Sequence, residues 1–345
     1  MFRNTQGEWK ALVKHTYGRN IFANYPKAVK VVETLGYESF YKNPTVIDCY
    51  PGPGVQSAAV YNLTQPKVHV LMEPFKSFQK FLSSQTGLTT VCSELDPFRW
   101  ESFTALQTEN VFQIEDQPFS AVHNSLLFMA NLTHAQGEQL CAQYLNCISN
   151  RSWIFKHGRI RMLLWLRSST AEKLLSGPAE KFRHRIGAQR ESVCDSRVIF
   201  HQPTVGSRTH KRDLPYPAAL QSPLLELDSA QDLIQKRGCP LSLIELTPKQ
   251  HQVPYLEEFD YVTRMLFHLR STPLGQALNN LGHGAIDDLS PKLADILDKL
   301  VIELTLDDLL RTTKAFAEWP FKPTFLHEFY EETALATGTF EAGRE

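Results

Sequence analysis

Short apolar segments alternate with amphipathic ones between about residues 44 and 248, and no other feature of the 345-residue sequence constrains the fold as strongly. Seven of these segments have the length and apolarity of buried strands: PTVIDCY, KVHVLMEP, GLTTVCSELDP, FSAVHNSLLFMANLT, RIRMLLWL, SRVIFHQP and PLSLIELTP. Helical patterns separate several of them, as GVQSAAVYNL does after the first. Such an alternation is typical of a parallel-rich sheet with helices on both faces. We therefore predict an α/β, Rossmann-like fold.

The alternation ends near Pro248, and the rest of the chain follows another pattern. After Tyr255 the apolar residues recur at helical spacing in EEFDYVTRMLFHLR, PLGQALNNLG, PKLADILDKLVIEL and LTLDDLLRTTKAFAEWP. The last fifteen residues are polar and acidic and have no apolar stripe. We predict a sheet domain over residues 1–254, a small helical domain over 255–330 and a flexible acidic tail over 331–345.

Composition argues against several classes of protein. No apolar run reaches the roughly 18 residues that a membrane-spanning helix requires, so no membrane association is expected. The six cysteines form neither a C-x-x-C pair nor a zinc spacing, which predicts reduced thiols and no metal site. No Ser–His–Asp series or pair of carboxylates stands out as a catalytic arrangement, so no catalytic residue is assigned.

Positive charge is concentrated in one part of a nearly neutral chain. The net charge is −1, yet residues 151–212 contain fourteen Lys or Arg and only four Asp or Glu. This excess favours a polyanionic partner that is bound by one face of the protein. The alternative is an ordinary basic surface.

The segment VIDCYPGPG (46–54) has the form of a ligand-binding loop between a strand and a helix. Its glycines would let backbone N–H groups approach a ligand at the start of the helix. Polar residues also end the next three predicted strands, where a doubly wound sheet binds its ligands. We predict a ligand site made of Asp48, Gly52, Gly54, Glu73, Asp96 and Asn131, although acids at strand ends are also common turn caps.

Five motifs resemble those of the ribosomal RNA adenine dimethyltransferases: YGRNIF (17–22), DCYPGPG (48–54), LMEP (71–74), ELDP (94–97) and ANLT (130–133). The resemblance implies an S-adenosylmethionine methyltransferase fold capped by a small C-terminal helical domain. It also implies that the six residues of the predicted ligand site are a cofactor site by descent.

The motifs depart from that family in three places. Arg19 stands where the family has a glutamine that borders the cofactor, and Tyr50 replaces the first loop glycine. Thr133 and His134 replace the Pro and Tyr of the family's Asn-Leu-Pro-Tyr motif, whose Tyr stacks on the target base. A phenol in the loop would fill cofactor space, and any left-handed backbone there would be strained. We therefore expect a vestigial site that requires no cofactor, with residual S-adenosylmethionine binding left open.

Further segments are similar to the fungal mitochondrial transcription factor B proteins: YPGPGVQSA (50–58), RMLLWLRSSTAEKLL (161–175), DYVTRMLF (260–267), TPLGQALNNLGHG (272–284) and AEWPFKP (317–323). This resemblance implies a non-catalytic role, in which the protein helps the single-subunit mitochondrial RNA polymerase to melt promoters and select start sites. It implies the polymerase and promoter DNA as partners, and the mitochondrial matrix as location. We expect a monomer when the protein is free.

Holding separated DNA requires cations for the phosphates and aromatic faces for the unstacked bases. The basic block supplies the cations, and the segment DPFRW places two aromatic residues after the third strand-end acid. The predicted nucleic-acid-binding residues are Phe98, Trp100, Arg159, Arg161, Lys181, Arg183, Arg185 and Arg190. The alternatives are a core role for Trp100 and a solvated helix end for the run at 181–185.

Two other functions stay open at the level of sequence. One is an active S-adenosylmethionine-dependent ribosomal RNA adenine N6-dimethyltransferase, against which the sequence NLTH (131–134) argues. The other is a basic RNA- or DNA-binding scaffold unrelated to transcription, which would not discriminate a promoter.

Overall fold

The computed structural model describes residues 18–85, 89–204, 213–228, 231–234 and 239–323. Its strands are β1 (Ile21–Phe22), β2 (Thr45–Cys49), β3 (Val68–Met72), β4 (Thr90–Ser93), β5 (Val122–Leu132), β6 (Arg159–Arg167), β7 (Cys194–His201), β8 (Leu233–Ile234) and β9 (Leu241–Pro248). Its helices are α1 (Tyr25–Leu35), α2 (Tyr37–Phe40), α3 (Val55–Thr64), α4 (Lys76–Gln85), α5 (Trp100–Thr108), α6 (Gly137–Ser149), α7 (Ser168–Leu175), α8 (Arg185–Val193), α9 (Leu256–Phe267), α10 (Leu274–Ala277), α11 (Ala285–Leu289) and α12 (Leu306–Ala317). The predicted tail, 331–345, lies outside the described residues.

Seven of these strands form one mixed sheet with the order β4-β3-β2-β5-β6-β9-β7. The first five strands run parallel, whereas β9 is antiparallel to both β6 and β7. Strands β1 and β8 pair separately in a short antiparallel ribbon. The predicted α/β, Rossmann-like fold is confirmed.

The central strands are buried on both faces, which explains their continuous apolar sequences. On one face, Val46 of β2 and Leu127 of β5 belong to a core cluster with Val31 of α1 and Ala59 of α3. Since side chains alternate along a strand, the next residue of β5, Phe128, points to the other face. There its ring meets Tyr144 of α6 edge-on at 5.2 Å.

Helix α1 shows how local sequence sets the ends of an element. The Asn24 side chain accepts a hydrogen bond from the Lys27 N–H at 3.1 Å, which caps the first turn. Gly36 ends the helix in the left-handed conformation, with φ of +66°. Between these ends Ala28, Val31, Val32 and Leu35 are buried, and their helical spacing places them on one face.

The chain divides into two compact units. The described residues of the first unit fall within the ranges 18–172, 194–204 and 219–250, and those of the second fall within 173–193, 213–218 and 251–323. Segment 173–193, which the predicted boundary left with the sheet domain, therefore lies in the helical unit. Two contacts attach it there: Arg185 forms an ion pair with Asp260 of α9, and the Ala179 N–H donates to the Ile302 carbonyl at 2.8 Å.

Aromatic residues hold the helical unit together. Tyr261 of α9 stacks on Phe316 of α12 with ring centroids 5.2 Å apart. The Trp319 indole N–H donates to Asp288 at 2.7 Å, and Gly282 has so little free space that an added Cβ would lie 3.1 Å from the Trp319 ring. Within the described ranges, every helix is too short or too polar to serve as a transmembrane span.

Candidate functional site

The polar strand-end residues lie together at the carboxyl edge of the sheet. Asp48 is paired in register with Leu71 of β3 on one side and with Met129 of β5 on the other. Glu73 and Asn131 follow these partners by two residues, so both end strands that flank Asp48. The structure thus brings the predicted residues to one edge, while their role as cofactor ligands stays a prediction.

The loop between β2 and α3 turns through three left-handed residues. Tyr50, Gly52 and Gly54 have φ values of +59°, +61° and +75°. Glycine adopts this conformation freely, whereas a residue with a Cβ is destabilised in it by about 1–2 kcal/mol. Tyr50 is therefore strained, and neighbouring contacts must hold it in place.

Two contacts fix the Tyr50 side chain. Its hydroxyl donates to Asp96 Oδ1 at 2.6 Å, and its ring meets the His134 ring edge-on with centroids 4.9 Å apart. Burial and the Asp96 carboxylate raise the pKa of the phenol far above its usual range, so the hydroxyl remains a donor. Asp96, the predicted acceptor for an adenine amino group, is therefore already bound by the protein itself.

Glu73 is likewise already bound by another side chain, that of Arg19. The guanidinium donates to both carboxylate oxygens, at 2.7 and 2.9 Å, and the two residues are 2% and 0% exposed. Glu73 also accepts from the backbone N–H groups of Gly52 at 2.9 Å and Phe75 at 3.0 Å. The Arg19 guanidinium lies 4.9 Å from the Phe75 ring centroid and 5.3 Å from that of Tyr50. Four donors thus satisfy a carboxylate that has about four acceptor sites.

Asn131 is tied to the segment that carries Arg19. Its amide donates to the Asn20 carbonyl at 2.8 Å and accepts from the Thr133 hydroxyl at 2.7 Å. The Thr133 oxygen in turn accepts from the Asn20 N–H at 2.9 Å, and the Arg167 guanidinium donates to the Thr133 carbonyl at 2.7 Å. The threonine that replaces the family's proline supplies a hydroxyl that proline lacks.

His134 has the properties of a structural residue. Burial, and then the charge of Arg19, lower the pKa of its imidazole from 6.5 to about 4, although Asp96 opposes the shift. The ring is therefore neutral at pH 7. Its Nε2 atom is buried and has no hydrogen-bond partner among the described residues, so no group is in place to pass it a proton.

A small cavity remains beside Asp48. The Asp48 carboxylate accepts from the Ser57 hydroxyl at 2.6 Å, and the Gln56 amide is buried without a hydrogen-bond partner in the described part of the chain. The cavity has a volume of about 30 Å³, which is room for about one water molecule. Its lining is mainly apolar and includes Ile21, Phe22, Val55, Met129, Leu163 and Trp165.

These side chains do not fit S-adenosylmethionine. The acids that could accept from its ribose and adenine groups already accept from Arg19 and Tyr50, and the pocket beside Asp48 has a volume of only about 30 Å³. A cofactor would have to separate a buried ion pair. Separating such a pair typically costs about 3–5 kcal/mol.

Phe98 and Trp100 follow Asp96 as predicted, but they differ in their surroundings. The Trp100 ring meets Trp153 edge-on at 4.9 Å and lies 6.4 Å from the rings of Tyr144 and Phe103. Trp100 therefore packs against an aromatic cluster, but it is half-buried, as Phe98 is, so its role in binding nucleic acid stays a prediction. Phe98 is half-buried, and its N–H donates to Asp96 at 3.0 Å, so it lies next to the inherited site.

Arg159 and Arg161 lie at the opposite edge of the sheet. They begin β6, whereas Trp165, near the end of that strand, is the residue paired with Asn131. The sequence analysis placed these arginines in one predicted binding site with Phe98 and Trp100. In the structure, the aromatic residues lie at the carboxyl edge and the arginines do not. Parallel strands all begin at one edge and end at the other, so spacing along the chain could not reveal this separation.

The four remaining predicted cations lie in the second unit. Arg183 is fully buried, pairs with Glu191 at 2.7 Å and donates to the Ser176 carbonyl at 2.9 Å. The prediction that Arg183 contacts phosphate is wrong, because its charge is enclosed by its own unit. Of the half-buried others, Arg185 pairs with an aspartate, Arg190 donates to the Leu174 carbonyl, and Lys181 lies over the Phe182 ring.

Two expected features of composition can be compared with the structure. All six cysteines are free thiols. No cluster of three or more His, Cys, Asp or Glu in the described ranges is arranged to hold a metal ion.

Sequence reasoning missed Asn20, Ser57 and the hydroxyl of Thr133 as members of the site, although YGRNIF and ANLT contain two of them.

Two of the solved structures similar to this chain are named as methyltransferases that act on adenosine or ribosomal RNA. A dimethyladenosine transferase from Plasmodium falciparum has a TM-score of 0.57 and 12% identity, covering 86% of this chain and 98% of its own. The 23S rRNA methyltransferase ErmE has a TM-score of 0.50 and 9% identity over the same shares. At these identities the likeness shows the fold alone.

Relatives found by sequence have a higher identity to this chain than the solved structures have. The family model described as ribosomal RNA adenine dimethylase matches residues 11–318. Proteins named mitochondrial transcription factor 1 from Lachancea kluyveri and Saccharomyces cerevisiae are 34% and 32% identical to this chain, each over 92% of it and 94% of the relative. The chain therefore belongs to the ribosomal RNA adenine dimethylase family and, within it, to the group of the yeast mitochondrial transcription factor 1 proteins.

Proposed function

We propose that this chain is a mitochondrial transcription initiation factor that assists the single-subunit mitochondrial RNA polymerase in promoter melting and start-site selection by binding separated DNA. The names of the yeast relatives support a role in mitochondrial transcription. The partners in this proposal are the polymerase and promoter DNA, the location is the mitochondrial matrix, and the free protein is a monomer.

The observation that carries the proposal is the occupation of the inherited site by the protein's own side chains. Arg19 satisfies Glu73, and Tyr50 satisfies Asp96. Methyl transfer needs a methyl donor at this edge of the sheet, where the acids that could hold one already accept from Arg19 and Tyr50. The proposed role therefore requires no S-adenosylmethionine and uses the fold as a binding surface.

Strand separation sets a physical demand that such a surface must meet. Extruding a base from the duplex costs a few kcal/mol, and stacking it on an aromatic ring recovers about 1–3 kcal/mol. Phe98, half-buried beside Asp96, is the better placed of the two predicted aromatic residues, since Trp100 already packs against other rings. The cations of the basic block would hold the phosphates.

A run-off assay with a mitochondrial RNA polymerase on linear promoter DNA tests the proposal. Start-site-specific transcripts should require this protein and should be lost when the promoter is scrambled. Equal transcription with and without the protein would contradict it. A Phe98→Ala variant with unchanged thermal stability should reduce specific initiation, whereas Phe321→Ala, which removes an exposed aromatic ring of the second unit, serves as control.

The family match and the retained strand-end acids favour one alternative, an adenine dimethyltransferase. Calorimetry with S-adenosylmethionine, followed by a methylation assay on a ribosomal RNA hairpin, separates the two functions. We expect no tight binding and no methylated adenine. Tight binding with turnover would establish the enzyme and overturn the proposal.

A further inference from the structure

Two arginines converge on the end of β9, at the edge of the sheet opposite the inherited site. The Arg159 guanidinium donates through Nε to the Pro248 carbonyl at 2.7 Å. The Arg151 guanidinium donates through Nη2 to the Gln250 carbonyl at 3.0 Å. The accepting residues are only two apart in sequence, so both arginines are tethered to the same short segment, 248–250.

Both guanidiniums are held in place by the protein. Arg151 lies 3.8 Å from the centroid of the Phe119 ring, and the backbone around it is fixed in a left-handed turn with φ of +47°. Arg159 is anchored where β6 begins, paired in register with Val122 of β5. Each guanidinium has five N–H donors, and each uses one of them for these carbonyls. Neither side chain is fully exposed or fully buried.

The acids of this edge do not neutralise the pair. Among the described residues, neither Arg151 nor Arg159 forms an ion pair with a carboxylate. Glu115 is bound by Lys67 at 2.9 Å, and Asp116 is bound by His157 at 2.5 Å. Asp195, on the neighbouring edge strand β7, lies opposite Thr247 and makes no ion pair in the described part of the chain.

We propose that Arg151 and Arg159 form a binding site for the phosphodiester backbone of a nucleic acid. Like charges held together without a counter-charge repel one another, and an anion between them would relieve that repulsion. The forked donors of arginine match the oxygen geometry of phosphate better than lysine does. This proposal depends on the proposed function in one respect, namely that the chain binds DNA. The site adds a DNA contact away from the carboxyl edge of the sheet.

The salt dependence of DNA binding tests the site. Fluorescence anisotropy with a labelled duplex and a labelled single strand, repeated over a range of salt concentrations, gives the slope of log K against log salt. Each phosphate contact contributes about 0.9 to that slope on duplex DNA and about 0.7 on a single strand. The variant Arg151→Gln/Arg159→Gln should reduce the slope by about two contacts on the form that occupies the site, equally for all base sequences.

Three controls make the result specific. Arg151→Lys/Arg159→Lys keeps both charges and should keep most of the slope. Lys30→Gln/Lys80→Gln removes two exposed cations from α1 and α4 of the same unit and should leave the slope unchanged if the effect is local. Circular dichroism and thermal unfolding check that each variant is folded. If the double glutamine variant does not fold, the single variants Arg151→Gln and Arg159→Gln test the charge, each with an expected loss of about one contact from the slope.

The outcomes separate this site from the proposed function. Wild-type slopes on both DNA forms in the glutamine variant would overturn the site while leaving the initiation role intact. Lost initiation with unchanged DNA binding would overturn it as well, because the arginines would then face an acidic protein surface. Promoter-independent transcription by the wild type would contradict the proposed function, whatever the slopes.

Discussion

Arg19 carries a guanidinium into a region from which water is excluded, and Glu73 meets it there with both oxygens. Desolvating two charges is costly, and their attraction offsets that cost only when geometry and hydrogen bonding are good. The two backbone donors to Glu73 and the rings beside Arg19 supply these conditions. At the scale of single residues, the Arg19 side chain forms the hydrogen bonds with Glu73 that a ligand would otherwise form.

Breaking this pair on one side should destabilise the fold. Glu73→Gln leaves the Arg19 charge buried without a partner, so we expect the free energy of unfolding to fall by about 3–5 kcal/mol. The double variant Arg19→Met/Glu73→Gln should lose less than the sum of the single variants, because no charge remains buried. Urea denaturation measures all three. Simple additivity would show that the two side chains are not coupled.

An exposed ion pair provides the comparison for this experiment. Arg311 pairs with Asp295 at 2.7 Å, but both side chains are well exposed to solvent. Arg311→Met should therefore change stability little, since water screens such pairs. A loss as large as that of Glu73→Gln would mean that removing any ion pair, buried or not, destabilises this protein.

His134 should make stability depend on pH. Its pKa is about 4 in the fold and 6.5 in the unfolded chain, so the unfolded state binds more protons between these values. Stability from this residue is complete above pH 6.5 and is lost as pH falls toward 4. Allowing for partial solvent exposure, we expect a loss of roughly 2 kcal/mol.

The variant His134→Gln isolates that contribution. Its stability, measured by urea denaturation at several pH values, should fall less than that of the wild type between pH 6.5 and 4. Other buried histidines, His123 and His201, also have lowered pKa values, and they affect both proteins equally. Parallel curves for the two proteins would refute the assignment.

At the scale of elements, the strand ends and the turns that follow them determine which helices can form. Helix α6 begins at Gly137, directly over the end of β5, where an added Cβ would lie 1.7 Å from the Leu132 carbonyl oxygen. Helix α3 begins at Val55, after Gly54 caps it in the left-handed conformation with φ of +75°. Glycine therefore serves close backbone approach at α6 and a left-handed turn at α3.

Replacing Gly137 by alanine should therefore damage the β5–α6 connection. A methyl group at that distance from backbone cannot be accommodated without moving the helix, so we expect a loss of about 3 kcal/mol or more. Thermal unfolding measures it. Gly177→Ala is the matched control, because its added Cβ would meet only the Glu180 side chain, at 3.6 Å. Equal stabilities for the two variants would contradict the close approach.

At the scale of the whole molecule, the chain combines a family fold with an occupied ligand site and two separate groups of cations. Residues 151–212 carry fourteen of the 36 Lys and Arg residues, but Arg159 lies in the first unit and Arg185 in the second. A basic block in sequence therefore does not form one continuous surface within one unit.

Melting of the promoter should be the step that needs this protein. On a template that is already mismatched around the start site, the polymerase need not separate the strands, so the requirement for the factor should be strongly reduced. Run-off transcription on matched and mismatched templates, with and without the protein, measures the difference. A requirement of equal size on both templates would place the role of the protein after melting.

The sequence by itself determined the seven strands of the main sheet and the position of the inherited loop, but not the short ribbon of β1 and β8. These depend on the spacing of apolar residues and on turn residues, which act locally. Tertiary structure alone decided which polar groups meet: Arg19 and Glu73 are 54 residues apart, and Tyr50 and Asp96 are 46 apart. It also buried Arg183 and placed Arg159 at the far edge, because burial and pairing depend on which strands lie side by side.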